Sequence, residues 1–230
     1  MSEKTTIVLD VDGTLVDSNY QHAIAWHRAF RARGYRAAIW EIHRHVGMGG
    51  DQFVTALLGE EAEEADGDAL RDGHSEAYSE LIGEIEAIEG ASELIAELDD
   101  AGANLIIGSS AEKDECDHFV ELLGAGGRIA GATTSADAEH SKPDPELVRV
   151  ALEKYGTDGP ALMIGDATWD VIAAKAAGIP TLALLTGGFS ESELREVGAV
   201  EVSHSISALR EHGVDWILDW AKNAAGTEAP

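Results

Sequence analysis

Lys4-Thr5-Thr6-Ile7-Val8-Leu9-Asp10-Val11-Asp12-Gly13 is the stretch from which the fold can be read. Thr5 to Leu9 is β-branched and apolar, so Lys4 to Val11 reads as a buried strand. The strand runs into two carboxylates, Asp10 and Asp12, and then Gly13. Open parallel α/β sheets take their ligands at this C-terminal edge. Ala103 to Gly108, Ala161 to Gly165 and Thr181 to Leu185 repeat the pattern as short apolar runs bounded by Gly or Pro. Helical periodicity lies between them, in Glu93 to Ala101 before Gly102 and in Glu146 to Tyr155 before Gly156. The second helix is preceded by Asp144 at the expected N-cap and Pro145 at the expected first position. Strands alternating with helices predict an α/β fold, a doubly wound and mostly parallel Rossmann-like sheet.

The alternation stops from about Ser18 to about Gly90, where only helical patterns occur, and Ala23, Trp26 and Phe30 mark one apolar face. We expect a core of residues 1–17 and 91–230 and an inserted all-helical cap of residues 18–90. The loop His45-Val46-Gly47-Met48-Gly49-Gly50-Asp51 is glycine-rich and able to approach a ligand closely. Gly226 to Pro230 reads as a loose tail.

The 230 residues carry 16 Lys and Arg against 43 Asp and Glu, a formal net charge of −27. Such a field repels nucleic acid and anionic lipid, so neither is an expected partner. The polar opening Met1-Ser2-Glu3-Lys4 lacks a secretory apolar stretch, and no segment is apolar for long enough to span a bilayer, so a cytoplasmic location is expected. Cys116, the only cysteine, rules out an internal disulfide and reads as a packed thiol beside Phe119, Val120 and Leu123. A monomer or weak homodimer is the expected state.

Four separated segments carry the chemistry: Asp10-Val11-Asp12-Gly13-Thr14-Leu15-Val16-Asp17-Ser18, Leu105-Ile106-Ile107-Gly108-Ser109-Ser110, Lys142-Pro143-Asp144-Pro145, and Gly165-Asp166-Ala167-Thr168-Trp169-Asp170. In order and placement they resemble the four motifs of the haloacid-dehalogenase-like superfamily, and the helical block falls where its helical-cap subgroup inserts a cap. That subgroup includes phosphoglycolate phosphatase and β-phosphoglucomutase. The resemblance implies Asp10 as nucleophile, Asp12 as general acid and base, and Ser109 and Lys142 as phosphate-binding groups. It implies Mg²⁺ held by Asp10, the Asp12 backbone carbonyl and Asp166, with Asp170 a ligand or the support of one. Gly13 and Ser110 are candidate substrate-binding residues on the same resemblance.

The physics agrees with this assignment. A carboxylate can attack phosphorus to form an aspartyl phosphate, dividing one hard step into two. Asp10, Asp12, Asp166 and Asp170 against Lys142 leave three net negative charges, which would expel a phosphate dianion. One Mg²⁺ and a proton on Asp12 bring the set to neutrality, and an oxygen-only ligand set suits that hard cation. An aspartate at position 12 argues for phosphatase or phosphomutase work and against dehalogenase chemistry.

Within the cap, His22 stands twelve residues after Asp10, where the mutase resembles this chain with a hinge histidine. The mutase's cap-loop arginine is absent from Gly47-Met48-Gly49-Gly50. Arg44 beside that loop is a candidate clamp for an anionic group, and Met48 and Gly49 are candidate substrate contacts; the other cap arginines are expected to pair with acidic helices. The leading expectation is a phosphatase of a small phosphorylated metabolite. The alternatives are a sugar phosphomutase and a non-catalytic metabolite-binding protein.

Overall fold

The computed structural model of the chain describes residues 4–224. The sheet contains β1 (Thr6–Leu9), β2 (Asn104–Gly108), β3 (Ile129–Thr133), β4 (Ala161–Gly165), β5 (Thr181–Leu184) and β6 (Glu201–Ser203). All five pairings are parallel, and the order is β3-β2-β1-β4-β5-β6. Successive strands leave β1 in both directions, so the crevice between β1 and β4 is the topological switch point where such sheets bind ligands. The register pairs Leu9 with both Ile107 and Ile164, which places Asp10, Ser109 and Asp166 just past the ends of three adjacent strands.

The helices are α1 (Asn19–Ala32), α2 (Ile39–His43), α3 (Gly50–Leu58), α4 (Glu60–Ser79), α5 (Ala91–Asp100), α6 (Lys113–Leu122), α7 (Glu146–Tyr155), α8 (Thr168–Ala177), α9 (Glu191–Val197), α10 (Ile206–Glu211) and α11 (Val214–Ala224). Side chains alternate across a strand, and the packing follows that period. Ile7, Leu9, Leu105, Ile107, Leu162 and Ile164 pack with Leu94 of α5, Phe119 of α6, Leu209 of α10 and Ile217 of α11. Val8, Ile106 and Met163 face the other way, onto Val148 of α7 and Ala173 of α8. Helices therefore cover both faces, as the all-parallel sheet requires.

Two strands escape the apolar-run criterion. Both β3 and β6 are edge strands, and neither is buried along its length. In β3, Gly131 lies under the Tyr155 ring, which a Cβ would approach to 2.3 Å, so packing removes the side chain that strand propensity favours. The expected strand Lys4 to Val11 is shorter, because Val11 turns back to accept from Thr14, Leu15 and Val16. Helix α7 begins at Glu146, so Pro145 and not Asp144 holds the N-cap position, and the Asp144 carboxylate, one residue further out, accepts from the Glu146 amide at 2.9 Å.

Between Ser18 and Gly90 the chain forms α1 to α4, a short 3₁₀ turn at Ile82–Glu84, and one bridge between Val16 and Ala87. Ala23, Trp26 and Phe30 pack with Ile42, Phe53, Val54 and Leu70 into an apolar cluster separate from that of the sheet. Stacking of Trp26 on Phe53, with ring centroids 4.5 Å apart, anchors α1 to α3. The acidic face of α4 takes up basic side chains, through Arg33–Asp66 and Arg28–Glu80 at its end. No helix among the described residues is long and apolar enough to cross a membrane. The Gly226 to Pro230 tail lies outside the described residues.

Candidate active site

Asp10 is the first residue past β1, and its amide still continues the ladder by donating to the Ile164 carbonyl at 3.0 Å. Its side chain is buried and takes a hydrogen bond from the Lys142 ammonium, which also donates to Asp170 at 2.8 Å. Lys142 is 1% exposed, an uncommon position for a lysine, and its neighbouring carboxylates overcome burial to hold it charged. The other Asp170 oxygen accepts the amides of Asp166 and Ala167, at 3.2 and 3.0 Å. Asp170 thus ties the start of α8 to the lysine.

Asp166 follows β4 and accepts from Asn19 at 3.0 Å and from the Thr14 hydroxyl at 2.8 Å. The same hydroxyl lies 3.2 Å from Asp10, and its single proton cannot serve both carboxylates. Gly13 closes this turn with φ +74°, and a Cβ there would fall 2.2 Å from Asn19 and 2.3 Å from Asp166.

One ligand atom from each of Asp10, Asp166 and Asp170 lies within 4.8 Å of the others, all three side chains are buried, and one lysine faces them. Burial and the Asp170 charge push the Asp10 carboxyl up to about 7 against the opposing pull of Lys142. Burial and the charges of Asp10 and Asp170 push Asp166 well above its ordinary range. An oxygen-only set short of positive charge, with one hydroxyl proton for two carboxylates, fits a small hard cation.

The Asp12 carboxylate belongs to a different group. An extended strand would turn it toward the same ligand as Asp10, but the turn at Val11 sends it to the Ser18 hydroxyl and to His22 Nε2 at 3.1 Å. Burial raises Asp12, yet the His22 charge and hydrogen bond outweigh it and hold the carboxyl below its usual range. In turn burial lowers His22, and the Asp12 charge more than reverses this, lifting the imidazole to about 10. Each member of the pair thus favours the charged form of the other. His22 also faces Glu115 at 3.5 Å, contacts His74 at 3.1 Å and stacks on Tyr78 with centroids 4.0 Å apart.

Ser109 follows β2, is buried, and accepts from the Ala111 amide at 3.1 Å. The next helix, α6, begins only at Lys113, so the turn at Ser110 to Glu112 and not a helix N-terminus stands beside it. The Ser110 hydroxyl has no partner among the described residues.

A cavity of about 630 Å³ lies between α1, α3, α4 and the turn after β2, with Asp12, His22, Met48 and Ser110 on its wall. Gly49 is not on that wall. Its amide donates to the Lys142 carbonyl at 3.0 Å, and a Cβ would strike Ser141 at 2.0 Å, so the glycine lets α3 seat against the lysine loop. Arg44 is also elsewhere: it pairs with Glu193 and lies 3.9 Å over the Phe189 ring, joining α2 to α9. Its expected role as a substrate clamp finds no support in that position. The arginine at the cavity is Arg71, which α4 places there and which spacing from the glycine loop could not reveal. Asn19, Thr14 and Glu115 were likewise missed, and only the proximity of the first two to Asp12 in sequence could have flagged them.

The haloacid dehalogenase-like hydrolase family model matches residues 4–178. Pyrophosphatase PpaX of Bacillus velezensis is 32% identical over 186 residues, covering 77% of this chain and 81% of its own. Phosphoglycolate phosphatase of Mesorhizobium japonicum is 29% identical over 216 residues, with 88% and 92% covered. The crystal structure of a hydrolase from Pseudomonas syringae superposes with a TM-score of 0.86 at 34% identity, over 93% of this chain and 99% of that one. Fold, motif placement and sequence agree that this chain belongs to the haloacid dehalogenase-like hydrolases.

Proposed function

We propose that the protein is a phosphatase of a small phosphorylated metabolite, that Asp10 attacks phosphorus to form an aspartyl phosphate, and that the helices of residues 18–90 act as its cap. The observation that carries this reading is the burial of Asp10 beside Lys142, Asp166 and Asp170 at the switch point of the sheet. Asp10, the Asp12 backbone carbonyl and Asp166 would hold Mg²⁺, with Asp170 a ligand or the support of one. When bound, the ion supplies positive charge to the phosphoryl oxygens.

The chain's own groups then divide the work. Lys142 neutralises and orients Asp10, so that attack on an anionic phosphate is less opposed. Asp12 gives a proton to the leaving oxygen, with His22 as the neighbouring store of that proton, and afterwards takes one from the attacking water. Ser109, Ser110 and the turn amides hold phosphoryl oxygens.

A phosphomutase reading draws on the contact of His22 with Asp12. It needs a cation for a second phosphate, and the one arginine on the cavity wall is engaged by Glu63 and Asp68, so hydrolysis is the better fit. The test is phosphate release from a metabolite panel with Mg²⁺, alongside isomerised product, for the wild type and Asp10→Asn. Release that depends on Asp10 is expected; isomerisation faster than release would favour the mutase, and unchanged turnover in the variant would remove Asp10 from the mechanism.

A further inference from the structure

The outer face of the helices of residues 18–90 carries exposed apolar surface. Four of the five large apolar side chains that stand exposed among the described residues lie there. They are Tyr20 and Ile24 on α1 and Ile39 and Trp40 on α2, with Tyr20 60% and Trp40 67% exposed. Stacking of Tyr20 on His43, with ring centroids 4.8 Å apart, holds the two helices side by side, and Ile39 stands one turn before His43 on the same side of α2. On α1, Tyr20, Ile24 and Arg31 follow helical spacing and are all exposed, so they form one stripe. His22 and Trp26, which line the cavity, fall on the opposite side of that helix, so the stripe is clear of the site.

Charge is divided across this stripe. Arg31, and Arg36 in the segment that leads to α2, are exposed and form no ion pair among the described residues. On the α4 side the stripe borders a groove lined by Arg28, Ala32, Asp72, Glu76 and Glu80. Glu80 holds Arg28, whereas Asp72 and Glu76 are exposed and form no ion pair among the described residues. Unpaired cations therefore stand on one side of the apolar strip and unpaired carboxylates on the other. From residue 18 to residue 50, Glu41 is the one carboxylate against five arginines, in a chain whose formal net charge is −27. A second acidic body of the same kind meets least repulsion at this face.

We infer that this face joins two copies of the protein in a two-fold dimer. Tyr20, Ile24, Ile39 and Trp40 form its centre, and Arg31 and Arg36 of each copy face Asp72 and Glu76 of the other. A two-fold interface must be self-complementary. An axis along α1 lays the α2 side of one copy over the α4 side of the second, so each contact between opposite charges occurs twice. Two short helical faces make a small interface, and the dimer is accordingly reversible. Because the cavity opens on the other side of α1, the inference does not depend on the phosphatase reading.

The test is sedimentation equilibrium of the full chain from about 1 to about 200 µM at physiological salt, where a monomer–dimer equilibrium is expected within the range. Ile24→Ser/Trp40→Ser should weaken association by about tenfold or more, through loss of the apolar centre. Arg31→Glu/Arg36→Glu and Asp72→Arg/Glu76→Arg should each weaken it by about tenfold, and a chain carrying all four charge reversals should regain the wild-type constant. Every substituted side chain is exposed, and circular dichroism melts separate a lost interface from a lost fold. A wild type that stays monomeric to the top of the range overturns the inference. So does a dimer that Ile24→Ser/Trp40→Ser leaves intact, or a fourfold reversal that associates no better than the two double variants.

Discussion

Replacing Asp166 with asparagine should make the metal-free protein more stable and remove its response to magnesium. The geometry permits the exchange. Asp166 accepts from Asn19 and Thr14, and an asparagine can present its carbonyl to Asn19 and its amide to the Thr14 oxygen. The Thr14 proton is then released to Asp10. The magnitude follows from the crowded carboxylates. Asp10 is pushed by burial and by Asp170 to about 7. Against an ordinary value of ~3.9, this corresponds to an unfavourable contribution on the order of 4 kcal/mol at a pH above both. Asp166 is displaced upward by burial and the same kind of neighbours. The direction is the same for Asp166, so neutralising it should raise the Tm in EDTA by several degrees, as a gain of about 1–3 kcal/mol from one substitution does in a chain of this length.

The sign with pH is fixed by the direction of the shift. Folded carboxyls raised above their unfolded values bind protons more tightly than the unfolded chain, so the wild type loses stability as pH rises from about 4 through about 7. The advantage of Asp166→Asn in EDTA should accordingly be small near pH 4 and grow as pH rises. Magnesium at a hundred times its Kd should raise wild-type stability by about 2.7 kcal/mol and leave the variant unmoved. Thermal melts of both proteins, with EDTA or Mg²⁺ at constant ionic strength, supply the comparison. A variant less stable than the wild type in EDTA, and equally stabilised by magnesium, would refute the reasoning.

Two other substitutions or probes follow from the same geometry. Gly13→Ala places a Cβ within 2.3 Å of Asn19 and Asp166 at a positive φ, so it should lower stability by about 1–3 kcal/mol and weaken magnesium-dependent stabilisation in the same melts. Cys116 is 1% exposed and its thiol is pushed up to about 12 by burial and the Asp12 charge, so a disulfide reagent at pH 8 should label it only after unfolding in guanidinium. Rapid labelling of the native protein would contradict that placement.

The central strands could be read from sequence because each is buried on both faces and so forms an uninterrupted apolar run, as Ile7-Val8-Leu9 and Leu105-Ile106-Ile107 do. The same physics hid β3 and β6. At the sheet edges Ala130 and Glu201 meet solvent or another residue's charge, and Gly131 yields its space to Tyr155. Asp10, Asp166 and Asp170 were legible because each follows a strand or opens a helix in a fixed frame, and Lys142 through the Lys142-Pro143-Asp144-Pro145 motif in the loop before α7. Asp12 was legible as a residue but not as a direction, since a single turn at Val11 rotates its carboxylate to His22. The cavity wall was least legible. Arg44 lies beside the glycine loop in sequence yet pairs with Glu193, whereas Arg71, more than twenty residues later, reaches the loop through its bond to Gly50. Helix packing, unlike strand order, leaves no short spacing from which such contacts can be inferred.

The formation of a bond between Asp10 and phosphorus is tested most directly by acid-quenching the magnesium-loaded enzyme within a turnover of a hydrolysed ester and sequencing its peptides by mass spectrometry. One phosphoryl group on Asp10, absent after hydroxylamine treatment and absent from Asp10→Asn, is the expected result. A phosphoryl group on another residue, or turnover that leaves Asp10 unmodified at every quench time, would contradict the account.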